Sequence, residues 1–376
     1  MKYVDEFRAA ELAHGLARRL HASVQPNRRY RLMEFCGGHT HAITRYGLTA
    51  LLPANIELIH GPGCPVCVLP IGRIDAAIDL ALRHRVILCS YGDTLRLPAS
   101  RQMTLYRARA QGADVRVVYS INDALQIARE HPQQPVVFFA IGFETTTPPS
   151  AVALKTARAE GLTNFSLFCN HVLTPAAMRH LLSSDDAIAL DGFIGPSHVS
   201  TVIGSAPYAS IARDYGKPVV IAGFEPLDVL QSILLLVEQI NQGRAEVETQ
   251  FTRAVSENGN RKALDLMAET LTLRPSFEWR GLGHVAHSAQ AIHPDYAEFD
   301  AEQRFDLPIP HVADHKACEC GAILRGQKQP RDCKVFASAC TPDHPLGACM
   351  VSSEGACAAY YHYGRFAPIA TESPRR

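Results

Sequence analysis

Neither sign of charge predominates in this 376-residue chain, where 37 Lys and Arg are matched by 37 Asp and Glu. That balance gives no basis for a nucleic-acid partner or an anionic membrane surface. Long apolar runs are also missing. The most apolar helical stretch, around Ser232–Val237, soon meets Glu238 and is too short to span a bilayer. The opening residues Met1-Lys2-Tyr3-Val4-Asp5-Glu6 contain no apolar signal core, so a cytoplasmic location is expected. No Walker-type loop or dinucleotide fingerprint occurs, and a nucleotide is therefore not implied. The G-x-S-x-G elbow and the H-E-x-x-H helix are likewise absent.

Cysteine is plentiful, with 11 in the chain. Cytosolic thiols are kept reduced, so clustered cysteines there point to metal, redox or catalytic work more than to structural disulfides. Cys89 and Cys169 lie in apolar strand-like runs and read as buried core thiols. The remaining nine form two groups, one at positions 36, 64 and 67 and one between 318 and 357. The first group sits in two loops, Cys36-Gly37-Gly38-His39-Thr40-His41 and Gly61-Pro62-Gly63-Cys64-Pro65-Val66-Cys67. Each follows an apolar run that reads as a strand. Thiolate and imidazole are ligands for iron, zinc and copper. Two such strand-end loops suggest one site at the carboxyl edge of an open α/β sheet.

The alternation of short β-rich runs with helical patterns predicts two Rossmann-like, parallel-sheet α/β domains facing a cleft. Boundaries are expected at 30–133 and 134–225. The first domain would hold strands near Leu32–Phe35, Ile56–Ile59, Val86–Cys89 and Val115–Tyr119. The second would hold strands at Val136–Ile141, Phe165–Cys169, Phe193–Ile194 and Val219–Ala222. Gly142-Phe143-Glu144 and Gly223-Phe224-Glu225 close a strand in the same way, a short echo that fits two units of similar design. Residues 1–29 and 226–376 are expected to form a third domain, helical and then loop-rich. Its helices are predicted at Leu227–Ile240, Ala245–Val255 and Ala263–Leu271, and a metal cluster would hold its loops together.

The late cysteines fit that expectation. Cys318, Cys333, Cys340 and Cys357 give C-x14-C-x6-C-x16-C, an open pattern suited to four loops converging on a [4Fe–4S] cubane. Cys320 and Cys349 are left over as a dithiol or disulfide beside it. A structural zinc site with spare thiols is the alternative on ligand chemistry alone. Cys64 and Cys67 have the spacing of a redox pair. Cys36 reads as a nucleophile, a metal ligand or an inert thiol. Of its neighbours, His39 is the better candidate to tune it or share a metal, and His41 reads as a capping or core histidine. Glu144 and Thr145 are expected to face the cleft, with Thr147 capping a helix that begins at Pro148. His171 and His198 also follow strands and read equally as cleft or structural residues.

Together, the Cys36–His41 motif, the Gly61–Cys67 motif, Gly142-Phe143-Glu144-Thr145-Thr146 and the cysteine spacing of the tail resemble the HypD family, over nearly the whole chain. The resemblance implies a maturation factor for [NiFe]-hydrogenases, a redox-active scaffold on which the Fe(CN)2CO group is assembled before transfer to the hydrogenase large subunit. On that likeness Cys318, Cys333, Cys340 and Cys357 hold a [4Fe–4S] cluster, arranged as in ferredoxin–thioredoxin reductase chemistry. Cys320 and Cys349 form the adjacent redox pair, and electrons pass towards Cys64 and Cys67. Cys36 ligates a transient Fe(II) carrying CN and CO, jointly with a small HypC-type chaperone, and a HypE-type partner delivers cyanide. Competing with this are a self-contained [4Fe–4S] reductase or dehydratase acting on a small metabolite in the cleft, and a zinc-stabilised interaction module.

Overall fold

The three-dimensional structure is a computed structural model describing residues 5–184 and 188–364. Apolar, β-branched runs become strands β1 (Tyr30–Glu34), β2 (Ile56–His60), β3 (Ile87–Ser90), β4 (Val115–Val117), β5 (Val136–Gly142), β6 (Phe165–His171), β7 (Gly192–Pro196), β8 (Val219–Ala222) and β9 (Val247–Thr249). They form two sheets, one in the order β2-β1-β7-β8-β9 and one in the order β4-β3-β5-β6. Every pairing within them is parallel. Parallel sheets bury both faces, and β5 is buried at all seven positions. Its period-two pattern sends Val136, Phe138 and Ala140 to one core and Val137, Phe139 and Ile141 to another.

The sheets divide the chain differently from the expected boundaries at 30–133 and 134–225. The chain lays down β1 and β2, departs to build the whole four-stranded sheet from β3 to β6, and then returns with β7 to β9. The cause is the free edge of β1. β2 covers one side, but the other stays open until Leu32, Met33 and Glu34 meet Gly192, Phe193 and Ile194. Local alternation shows that strands exist; it does not show which later strand closes an edge. A second difference lies at Ala245–Val255, expected as helix. Residues Val247–Thr249 instead extend the first sheet, with Val219 opposite Val247, after the helix Pro226–Asn241 has ended and Gly243 has turned through φ +66°.

The leading helix, Ala10–Ser23, packs on Pro226–Asn241. Its buried residues Ala13 and Leu20 share a core with the sheet residues Leu32, Ile194 and Val220 on one face of the five-stranded sheet. Full burial of Leu20 contributes about 1.5–3 kcal/mol. The leading helix thus belongs with that sheet rather than with the cysteine-rich region.

After the helix Arg261–Thr270 come β10 (Leu271–Leu273), β11 (Ser276–Trp279), β12 (Gly283–Ala286) and β13 (Gln290–Ile292), in two antiparallel ribbons that pair β10 with β13 and β11 with β12. Trp279 is fully buried and its Nε1–H donates to Ser288 Oγ at 2.8 Å. Loops and short turns follow, and their cysteines enter the same core as Met33, Phe35, Val137 and Phe139. Among the described residues, no helix is long and apolar enough to cross a membrane.

Candidate functional site

β1 lies between β2 and β7, so the chain leaves its carboxyl edge in opposite directions on its two sides. Open α/β sheets form their ligand crevices at such a switch point. Cys36 stands there. It lies two residues after the end of β1 and takes the N-cap position of the helix Gly37–Arg45. Phe35 N–H donates to Ile194 O at 3.1 Å, Cys36 N–H to Glu34 Oε2 at 3.0 Å, and Gly37 N–H to Gly63 O at 2.9 Å. On the neighbouring strand, β7 runs straight into the helix Ser197–Ile203, whose second residue is His198. Its Nδ1 lies 3.4 Å from Cys36 Sγ. Burial pushes the Cys36 thiol well above its ordinary range, with the Glu354 carboxylate adding to the shift. Burial also lowers His198 to about 4. The resting pair is therefore a thiol beside a neutral imidazole, and a cation at the sulfur would reverse that balance.

The second loop is wedged against the first. A Cβ at Gly63 would fall well inside 3.0 Å of the Cys36 backbone, so only glycine allows the approach. Cys64 caps the short helix Pro65–Val68, with Pro65 at its first position and Cys64 Sγ accepting from Cys67 N–H at 3.3 Å. Cys64 and Cys67 are joined as a disulfide. On the far side, Cys67 Sγ is 4.0 Å from the carbonyl of Ala348, the residue before Cys349. The pair thus sits between Cys36 and the tail.

In the tail, Cys320 Sγ contacts the sulfurs of Cys318, Cys349 and Cys357, and Cys349 also contacts Cys357. The charges of Cys318 and Cys333 act on Cys340, whose sulfur accepts from Leu346 N–H at 3.4 Å. The Gly347 backbone lies against the sulfurs of Cys318 and Cys320. The contact from Cys320 lowers Cys318 to about 7, whereas Cys320, Cys349 and Cys357 are raised well above the ordinary thiol range. One thiolate is stabilised at the expense of its neighbours.

Glu144 is fully buried after β5. Its carboxylate accepts from Thr174 N–H at 2.9 Å and Thr174 Oγ at 3.0 Å, and burial still raises it to about 7. Thr145 Oγ1 is buried without a partner. Thr146, not Thr147, takes the N-cap position of the helix Thr147–Glu160, and Thr147 Oγ1 donates to Phe143 O at 3.1 Å. Tyr208 is fully buried, and both Glu144 and Cys36 add to the burial that raises its phenol. His171 Nε2 pairs with Ser150 Oγ at 2.8 Å.

His39 does not sit beside the thiol. Its Nε2–H donates to Ala222 O and Gly223 O at 3.0 and 3.1 Å, its Nδ1 has no partner, and its ring lies 4.9 Å from that of Phe224. The imidazole within reach of Cys36 is His198. Its strand-end motif is visible in the sequence; the adjacency of β1 and β7 is not. His41, half-buried in the middle of the same helix, lies 3.2 Å from Tyr363 OH.

A family model described as the hydrogenase formation hypA family, HypD, matches residues 11–364. The chain belongs to the HypD family. It is 62% identical to the hydrogenase maturation factor HypD of Cupriavidus necator, over 98% of this chain and 99% of that protein. It is 63% identical to the HypD of Azotobacter vinelandii over 97% of each chain, and 46% identical to that of Escherichia coli over 96% of this chain and 98% of the other.

For a HypD-family chain the donor set of the tail is informative. Among the described residues no group of three or more His, Cys, Asp or Glu side chains has the arrangement that would hold a single metal ion. A cubane instead takes its thiolates from around a cluster, and all-sulfur ligation is its usual environment. Six buried or half-buried cysteines free of disulfides, at positions 318, 320, 333, 340, 349 and 357, fit that chemistry. Neighbouring sulfurs and burial together raise three of them, Cys320, Cys349 and Cys357.

Proposed function

We propose that this HypD-family chain acts in [NiFe]-hydrogenase maturation as the scaffold on which the Fe(CN)2CO group is assembled before its transfer to the hydrogenase large subunit. The observation that carries the reading is the buried Cys36–His198 pair at the switch point, with the Cys64–Cys67 loop packed between it and the cysteine-rich tail.

Ferrous iron is the cargo. Cys36 Sγ is its protein anchor, and His198 Nδ1 takes up the thiol proton as the sulfur turns to the metal. Cyanide and carbon monoxide are strong-field ligands that favour low-spin Fe(II), and a single thiolate anchor leaves the other positions open to them. Burial around Cys36 keeps water away from that iron and strengthens its electrostatic hold on the thiolate. A small HypC-type chaperone shares the iron through a cysteine of its own, and a HypE-type partner brings cyanide.

Cys318, Cys333, Cys340 and Cys357 would hold a [4Fe–4S] cluster, which supplies electrons when bound. Cys64 and Cys67 are the redox pair nearest Cys36. Opening their disulfide takes two electrons and two protons and leaves two thiols beside the iron anchor. Cys320 and Cys349, already in sulfur contact, are the second such pair.

Complementation tests the reading. In cells lacking their own HypD, this chain should restore hydrogenase activity and the Cys36→Ala variant should not. Maturation supported by Cys36→Ala at the wild-type level would overturn it.

A further inference from the structure

Glu34, the last residue of β1, is fully buried. Its Oε2 accepts from Cys36 N–H at 3.0 Å, and its Oε1 accepts from the Thr40 hydroxyl and from His60 Nδ1–H, the latter at 2.7 Å. His60 ends β2 directly opposite Glu34 in the parallel register. The other side of its ring faces the tail, with Nε2 3.1 Å from Tyr360 OH and the two rings edge to face at 5.2 Å. Because the ring donates from Nδ1, its Nε2 accepts the Tyr360 hydroxyl proton, and the Tyr360 oxygen also lies 3.2 Å from Gln329 Oε1. Tyr360 opens the π-helical turn Tyr360–Gly364, straight after the helix Ala356–Ala359 that carries Cys357. A continuous line of hydrogen bonds therefore runs from the backbone of Cys36, through two adjacent strand ends, to the segment bearing a tail cysteine. The two regions also touch at Gly37, where a Cβ would collide with Glu354.

We propose that His60 and Tyr360 are positioning residues for Cys36. Through Glu34 they fix the backbone of the thiol-bearing loop to the Cys357 segment, so that a displacement of that segment moves Cys36. A buried carboxylate that loses one donor seeks another, and here the nearest it can draw on belong to the Cys36 loop. Half-buried His41 and exposed Tyr363 join the same two segments by a separate contact. What Cys36 does with its position rests on the function proposed above; the tie itself is tested without iron.

The test is the alkylation rate of Cys36 by iodoacetamide in the reduced protein, read by peptide mass spectrometry. Cys36 is 1% exposed, so the reagent reaches it only when the loop opens. Tyr360→Phe, which removes one oxygen, should speed alkylation of Cys36 roughly tenfold, and His60→Gln more. Tyr363→Phe should leave the rate unchanged, and Cys89, buried in β3, should stay at its wild-type rate in all three. If His60→Gln does not fold, Tyr360→Phe alone decides, supported by faster hydrogen exchange at the Cys36 amide. A Cys36 rate in Tyr360→Phe within twofold of wild type, or Cys36 and Cys89 accelerating together, would overturn the proposal. Loss of complementation by Cys36→Ala concerns the iron reading and leaves this result untouched.

Discussion

Cys36 Sγ and His198 Nδ1 lie 3.4 Å apart across 162 residues of chain. The contact exists because β7 pairs with β1 after a whole second sheet has been built between them. His198→Ala should therefore weaken ferrous iron binding at Cys36 about 10- to 100-fold, the usual cost of losing a group that orients a ligand. Anaerobic equilibrium dialysis with the tail cysteines monitored separately would measure it, and His198→Gln should recover part of the loss. Equal affinities in wild type and His198→Ala would remove His198 from the site.

Gly63 meets the Cys36 backbone more closely than any side chain allows. Gly63→Ala should cost about 2–4 kcal/mol and displace the Cys36 loop. Gly15, in the leading helix with only the end of Arg18 within 4.0 Å, is the contrast. There Gly→Ala should stabilise by about 0.5–1 kcal/mol. Denaturant midpoints of the two variants, moving in opposite directions, would check both.

Glu144 moves from an ordinary 4.5 to about 7 on folding, because burial outweighs its hydrogen bonds from Thr174. Between those values the folded chain holds a proton that the unfolded chain has released. Stability should therefore fall as pH rises through that window and level off above it, by up to roughly 3 kcal/mol. Glu144→Gln should flatten this dependence in denaturation midpoints measured between pH 5 and pH 8. A slope unchanged by the substitution would mean that other groups produce it.

Two cysteine substitutions separate the two sulfur regions. Cys36→Ala should abolish loading of iron carrying CN and CO while leaving the visible absorption of the proposed cluster intact. Cys340→Ala removes a sulfur held by Leu346 N–H and should bleach that absorption and loosen the tail. Iron and sulfide analysis after anaerobic purification distinguishes the outcomes, with about four of each expected per wild-type chain.

Much of this was legible from residue pattern alone. β-branched runs closed by glycine or polar residues marked β1 to β8, and loop chemistry placed Cys36, Cys64 and Cys67 at strand ends. The sequence did not show which strand ends meet. The pairing of β1 with β7 is set by an edge left open for more than a hundred residues, so neither the discontinuous first unit nor the partnership of Cys36 with His198 could be read locally. His39 was misleading for a related reason. Proximity in sequence put it near the thiol, but helical geometry turned its ring to the carbonyls at the end of β8. At Val247–Thr249 a weak helical pattern gave way to the free edge of β8, where strand pairing satisfies backbone groups.

On the proposed function, Cys36 anchors an iron bearing diatomic ligands. The infrared spectrum of the protein, purified anaerobically from hydrogenase-maturing cells together with the proposed small chaperone, is the sharpest test of that anchoring role, since bound CN and CO absorb where polypeptide does not. Two cyanide bands and one carbonyl band are expected in the wild-type complex and none in Cys36→Ala. A fully matured wild-type complex without those bands, or a Cys36→Ala complex that retains them, would contradict it.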